Sequence, residues 1–369
     1  MKTIRNFLAN EDHHGLLIPF IAIILGFLAG SVIMIFSGLN PLDLFTSFVR
    51  AVTGIELGNL FNDQPAFNAR YFGEFFVYSI PLILTGLSVA FAFRTGLFNI
   101  GGEGQVMIGA LAASDAGLML DLPDVIFPIV VLIAGALGGA FWGFIPGILK
   151  AKFRVHEVVV TIMLNYTALY FSNYYIRALP DSSSTKTADL PAKATLQSDF
   201  LSSLTNNSRL HWGFLVVIFC ALVFYFIINK TTFGYELKSV GFNPLASEYA
   251  GMKVQRNAAL SMTIAGSLSG LAGAILVVGT FGYGRILGSF ENYGFDGIAV
   301  ALVGGSTAIG SVLAGLLFGG LKASQTIMQV SRIPRDIAII IIAIIIVFVA
   351  MKHPIKQALK KLKVKEGEQ

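Results

Sequence analysis

The chain has little charge, almost no cysteine and no long polar stretch. Only 13% of its 369 residues are Asp, Glu, Lys or Arg, about half the share of a soluble domain. Against that, 55% are apolar and the mean hydropathy is +0.73. A water-soluble fold of this length cannot hide so much apolar surface behind so few charges. The single cysteine, Cys220, lies in an apolar run, which excludes an internal disulfide and a cysteine zinc cluster. The phosphate-cradling pattern G-x-x-x-x-G-K-[ST] is absent, so this chain carries no P-loop ATPase. The longest polar interval, Arg177 to His211, is too short for a soluble catalytic domain. No Ser/His/Asp set, metal-ligand cluster or paired carboxylates stand out. What remains is an all-α integral membrane protein.

A spanning helix needs about 20 apolar residues, and ten runs offer themselves. They cover Leu16–Phe36, Phe75–Phe93, Ile100–Leu118, Val125–Leu149, Val158–Ile176, Trp212–Ile228, Ala258–Gly279, Gly297–Val303, Ile309–Met328 and Ile337–Met351. The first run is too long for a signal-peptide core and reads as a span. Gly297–Val303 is short and is followed by Gly304-Gly305-Ser306-Thr307, a helix break. Charge decides whether it crosses. With ten crossings and both termini cytoplasmic, inner segments hold 16 Lys/Arg and outer segments 9, with Lys322 inside a span. Nine crossings would put the Lys-rich tail, 352–369, outside, against the positive-inside rule. The basic balance is therefore an orientation signal and not a nucleic-acid footprint.

Ten spans place two five-helix halves, about 16–176 and 212–351, in opposite orientation within one transmembrane domain spanning 1–369, the arrangement of an inverted repeat. One short internal match fits it. Gly102-Glu103-Gly104-Gln105 opens the third span, and Phe295-Asp296-Gly297 opens the eighth, each an acidic residue and a glycine before a small-apolar helix. Gly135, Gly139, Gly143 and Gly147 recur every four residues along the fourth span, and Gly266/Gly270 and Gly315/Gly319 continue the theme. Such small residues let backbones touch in lipid, so this is a packing signature.

The most informative stretch runs from Arg94 to Gln105. Its polar groups and glycines survive at membrane depth only if buried in protein or lining a cavity. A carboxylate there costs at least about 2.5 kcal/mol, so Glu103 needs a partner or a wet path. Three roles stay open: capping the helix that starts near Gly104, contacting substrate, or carrying a proton. Asp296 has the same ambiguity. Phe98, Asn99, Gly101, Gln105, Glu103 and Asp296 are the candidate translocation-path residues, a set that offers stacking and hydrogen-bonding groups. The interval 229–257 holds Asn243-Pro244, an N-cap with proline at the first helical position, and Gly251, a fitting stop. That makes a short cytoplasmic helix, either a surface feature or a docking element.

Four ordered segments resemble one family. Arg94-Thr95-Gly96-Leu97-Phe98-Asn99-Ile100-Gly101-Gly102-Glu103-Gly104-Gln105 resembles a hallmark of ABC importer permeases for nucleosides and simple sugars, relatives of the ribose and branched-chain amino-acid permeases. His156–Tyr166, Val240–Met252 and Gly294–Leu302 resemble its second, third and fourth signatures. Gly102 and Ser247 depart from the expected alanines, small for small. The resemblance implies a bacterial cell-membrane permease subunit with no cofactor of its own, working with a cytoplasmic ATPase that uses ATP. It also implies a second homologous permease and an extracellular lipoprotein that binds substrate, with no nucleic acid involved. Asn243, Ala246, Glu248 and Gly251 match the segment that couples to the ATPase. The substrate expected is a nucleoside, purine above pyrimidine; a simple-sugar permease or an ion-driven secondary transporter is the alternative.

Overall fold

The computed structural model describes residues 14–60, 65–331, 333–334, 336–351 and 357. The basic tail, 352–369, lies outside the described residues except for Gln357. Among the described residues there is no strand; isolated bridges pair Lys186 with Arg285 and Gln197 with His211. A helix covers each of the ten apolar runs. Four of these helices, beginning at Ala69, Ile126, Gly213 and Val254, are by themselves long and apolar enough to cross a membrane.

The chain divides into two compact bodies. The smaller comprises residues up to Ala66 and from Leu321 onward. It contains α1 (His14–Phe36), α2 (Leu42–Thr53) and, from the far end of the chain, the helix Asp336–Ala350. Gly30 lets α1 meet that last helix closely, since a Cβ there would lie 2.5 Å from Cγ1 of Ile341. The Phe27 ring packs on Phe45 and Phe48, at 5.6 and 5.3 Å between centroids. Helix α2 was not expected. Its buried residues Leu44, Ser47 and Ala51 recur at one-turn spacing, so it is amphipathic, with Gly54 in the left-handed conformation closing it.

The larger body, Phe67–Gly320, is built on α3 (Ala69–Arg94), α4 (Gly102–Met119), α5 (Ile126–Phe153) and α6 (Glu157–Ala178). A polar excursion with one short helix, α7 (Asp199–Leu204), leads to α8 (Gly213–Lys230), α9 (Thr232–Phe242), α10 (Pro244–Tyr249) and α11 (Val254–Ile275). Then come α12 (Tyr293–Val303) and α13 (Ala308–Val330), whose residues from Leu321 onward belong to the smaller body, as does α14 (Asp336–Ala350). The glycine seam is where the sequence put it. A Cβ on Gly139 would lie 2.3 Å from the Gly266 carbonyl, and one on Gly266 the same distance from that of Gly139. Helix α4 joins the seam through Gly109, whose Cβ would lie 2.2 Å from the Gly270 carbonyl. Helix α3 is enclosed on nearly all sides, while α8 is peripheral. At its C-terminal end α11 widens into a π turn over Leu276–Phe281, stopped by Gly282 at φ +79°.

Candidate functional site

The break before α4 is held by hydrogen bonds that reach far along the chain. The Gly104 N–H donates to Oδ1 of Asn165 (2.8 Å), and Nδ2 of Asn165 donates to the Ile100 carbonyl (3.1 Å). Asn165, on α6, is thus the residue that caps α4, with the acceptor and donor ends of one amide both used. Asn165 lies within the second signature segment, His156–Tyr166, without a role of its own there. Its polarity in an apolar helix was the available signal.

Glu103 therefore does not cap its own helix. Its Oε1 accepts from the N–H groups of Glu291 and Asn292, both at 2.9 Å, and its Oε2 from that of Gly294 at 2.6 Å. The carboxylate closes the N-terminus of α12, placing negative charge at the positive end of that helix's dipole. Contact is close because neither side has bulk: a Cβ on Gly294 would lie 2.0 Å from the Glu103 nitrogen. The two broken helices meet start to start. Glu103 is 1% exposed.

Asn99 and Gln105 face one another instead. Nδ2 of Asn99 donates to Oε1 of Gln105 (2.8 Å), and Nε2 of Gln105 donates back to Oδ1 of Asn99 (3.1 Å). Asn99 also donates to the Ser88 hydroxyl, which takes a bond from Ser269 and gives one to the Ala265 carbonyl. This buried network ties α3, α4 and α11 together. Gly101 is buried against Thr161, with 3.0 Å between its would-be Cβ and that of threonine. The Phe98 ring packs on Phe93 at 5.1 Å. Asp296 is half-buried in the first turn of α12. Of the six candidate path residues, Glu103 alone lines the enclosed cavity between α4, α6 and the π turn, a space of about 30 Å³. The other five are not brought to it.

Toward the other end of this body, the short helix in 229–257 forms as expected. Oδ1 of Asn243 accepts from the Ala246 N–H (3.1 Å), Pro244 opens α10, and Gly251 leaves it at φ +84°. Glu248 and Ala246 are exposed. Missed by sequence reasoning is the apolar face of this segment: Phe242, Leu245 and Tyr249 are 91%, 77% and 97% exposed. Their spacing, three and then four residues, was the signal. Gly241 seats the segment on the chain before α4, because its Cβ would lie 2.5 Å from the Arg94 carbonyl. At the edge of the polar excursion, His211 is fully buried against Gly213 and Gly279, and burial lowers its pKa to about 4, leaving the ring neutral. Among the described residues no three His, Cys, Asp or Glu side chains gather as a metal site.

Residues 71–350 match the family described as the permease component of branched-chain amino acid transport systems. The chain is 48% identical to the guanosine ABC transporter permease protein NupP of Bacillus subtilis, covering 95% of this chain and 97% of that one. It is 40% identical to the nucleoside ABC transporter permease protein NupB of Lactococcus lactis, covering 96% of each. A weaker likeness, 27% over 71% of this chain and 83% of the other, joins it to the guanosine ABC transporter permease protein NupQ of the same Bacillus. The chain belongs to this permease family and is a multi-pass membrane transport subunit.

Proposed function

We propose that this chain is the membrane subunit of an ATP-driven nucleoside importer, with purine nucleosides as its substrates. The observation that carries the reading is near full-length similarity to two permeases named for guanosine and nucleosides. A second permease completes the path, as the likeness to both members of the NupP and NupQ pair supports. Hydrolysis of ATP belongs to a cytoplasmic partner, and a lipoprotein delivers substrate from outside. The chain crosses the membrane ten times with both termini cytoplasmic, in two inverted five-helix repeats. Support for the repeat comes from the meeting of α4 and α12, each third in its half and each broken at its start.

In this reading Glu103 and Asp296 stand at the junction of the two broken helices, and Phe98, Asn99, Gly101 and Gln105 form the hinge that shapes it. Movement enters at Asn243–Gly251, where Phe242, Leu245 and Tyr249 offer the ATPase an apolar face. Gly241 passes it to Arg94–Gly96 and so to the break before α4. The carriers of this motion are packed backbone and buried hydrogen bonds, a spatial argument for coupling.

The test is uptake of labelled guanosine, cytidine and glucose by cells lacking the chain and regaining it. Restored guanosine uptake that stops on ATP depletion and survives a collapsed ion gradient is expected. Restored glucose uptake alone would make it a sugar permease. Guanosine uptake that follows the ion gradient instead would make it a secondary transporter.

A further inference from the structure

Most buried hydroxyls on these helices have partners, Ser311 on α13 being one exception. Ser79, Thr85, Ser114 and Thr161 each donate to the carbonyl one turn back, at 2.7 to 3.0 Å. Ser172 on α6 does not. Its Oγ is buried with no hydrogen-bond partner, and it lines the cavity that Glu103 lines. A buried hydroxyl left unpaired is costly, so one that persists beside a cavity points to something that enters the cavity.

The cavity has the make-up of a ligand seat. Its polar lining residues are Ser114, Ser172, Glu103, Glu291 and Arg285, and Met107 and Leu276 are among the apolar ones. The charges are already engaged within the protein. Glu103 accepts three backbone N–H groups, and Arg285 grips Glu291 through two bonds of 2.6 and 2.5 Å. The guanidinium also lies 3.7 Å from the centre of the Phe281 ring. What the seat offers an incoming molecule is neutral hydroxyl chemistry, suited to a group that both donates and accepts.

Above it runs the strap Gly282–Asn292, joining the π turn to α12. Left-handed residues bound it at both ends, Gly282 at φ +79° and Asn292 at φ +67°. The strap is held by Leu190 and Thr187, whose N–H groups donate to the Gly282 and Gly284 carbonyls at 2.8 and 2.9 Å. About 30 Å³ holds roughly two waters and no nucleoside.

We propose that this cavity, enlarged when the strap lifts, seats the ribose of the nucleoside, with Ser172 bonding one of its vicinal hydroxyls. The proposal rests on the nucleoside reading and adds a specificity-determining residue to it. A site built to bond a hydroxyl rejects the analogue that lacks it, because its own group is then stranded.

The experiment uses the complete transporter in vesicles, with the binding protein saturated in turn by guanosine, 2′-deoxyguanosine and 3′-deoxyguanosine. Saturation removes capture from the comparison, and the maximal import rates then report on the permease. In the native transporter guanosine should exceed one of the deoxy forms by about tenfold. Ser172→Ala should slow guanosine and bring that ratio close to one. Ser172→Thr, which keeps the hydroxyl, should retain part of the preference and shows whether lost packing alone explains the alanine result. Equal native rates for all three, or a ratio that Ser172→Ala leaves unmoved, would overturn the assignment while guanosine import continues. Absence of guanosine import by the native transporter would instead remove the nucleoside reading on which it stands.

Discussion

At the scale of residues, the sequence showed that Glu103 needed a partner but not which one. Its oxygens bond N–H groups nearly 190 positions further on, and no local pattern encodes a pairing of that range. Asn165 takes the cap nearer home for the same reason: helix packing brings it to Gly104, 61 residues away. Glycine at 102 and 294 was legible as small, and the structure gives the reason, an approach that a Cβ on Gly294 would block. Substitution at Glu103 should follow the count of bonds. Glu103→Gln keeps one oxygen for Glu291 and Asn292 but turns an amide N–H toward Gly294. Glu103→Leu strands all three donors, at about 1–3 kcal/mol each. Thermal stability in detergent and guanosine uptake should both fall in the order native, glutamine, leucine. A glutamine variant as stable as native but without uptake would assign Glu103 a charge-dependent step rather than the anchoring of α12.

At the scale of elements, the caps of α10 were readable because capping is local: Asn243, Pro244 and Gly251 lie within nine residues. Six helical residues cannot hold themselves folded in water, so the two ends and buried Ser247 carry the element. Helix α9, which leads into it, was not foreseen, and neither was α2. Each mixes polar and apolar residues too evenly for a search that looks for spans. The exposed face of Phe242, Leu245 and Tyr249 was equally hidden, since aromatics in so apolar a chain do not declare whether they are buried or bare. Burying one such ring stabilises an interface by about 1.5–3 kcal/mol. The double variant Phe242→Ala/Tyr249→Ala should therefore cut co-purification of the ATPase by tenfold or more, with the permease still expressed and stable. Glu248→Lys, at the same site but outside the apolar face, should weaken it less. ATPase recovered at native yield with the double variant would place the coupling contact elsewhere.

At the scale of the whole molecule, a helix covers each of the ten apolar runs, and among the described residues four helices are long and apolar enough to cross a membrane on length and hydropathy alone. Helices α4 and α6 carry polar groups that the protein buries, such as Glu103, Gln105 and Asn165, and α12 is short. Hydropathy reads each segment as if it met lipid by itself, and α4 meets protein on most sides, so its span status depends on neighbours. Orientation is a separate matter, set by charge in the flanking loops. The disposition 16 inside to 9 outside requires α12, with 11 residues, to count as a crossing. That helix is the point on which the arrangement turns. If it crosses, a reporter fused after Gln369 lies in the cytoplasm, together with one placed at Thr231, while one placed in the polar excursion at Ser183 lies outside. If it is re-entrant and returns to its own side, the fusion at Gln369 moves outside and the other two stay where they were. Fluorescent and phosphatase reporters at the three positions, which report opposite sides of the membrane, distinguish the two cases. The expected pattern is cytoplasmic at Gln369 and Thr231 and external at Ser183. An external Gln369 with the other two unchanged would reduce the chain to nine crossings and dissolve the symmetry of its halves.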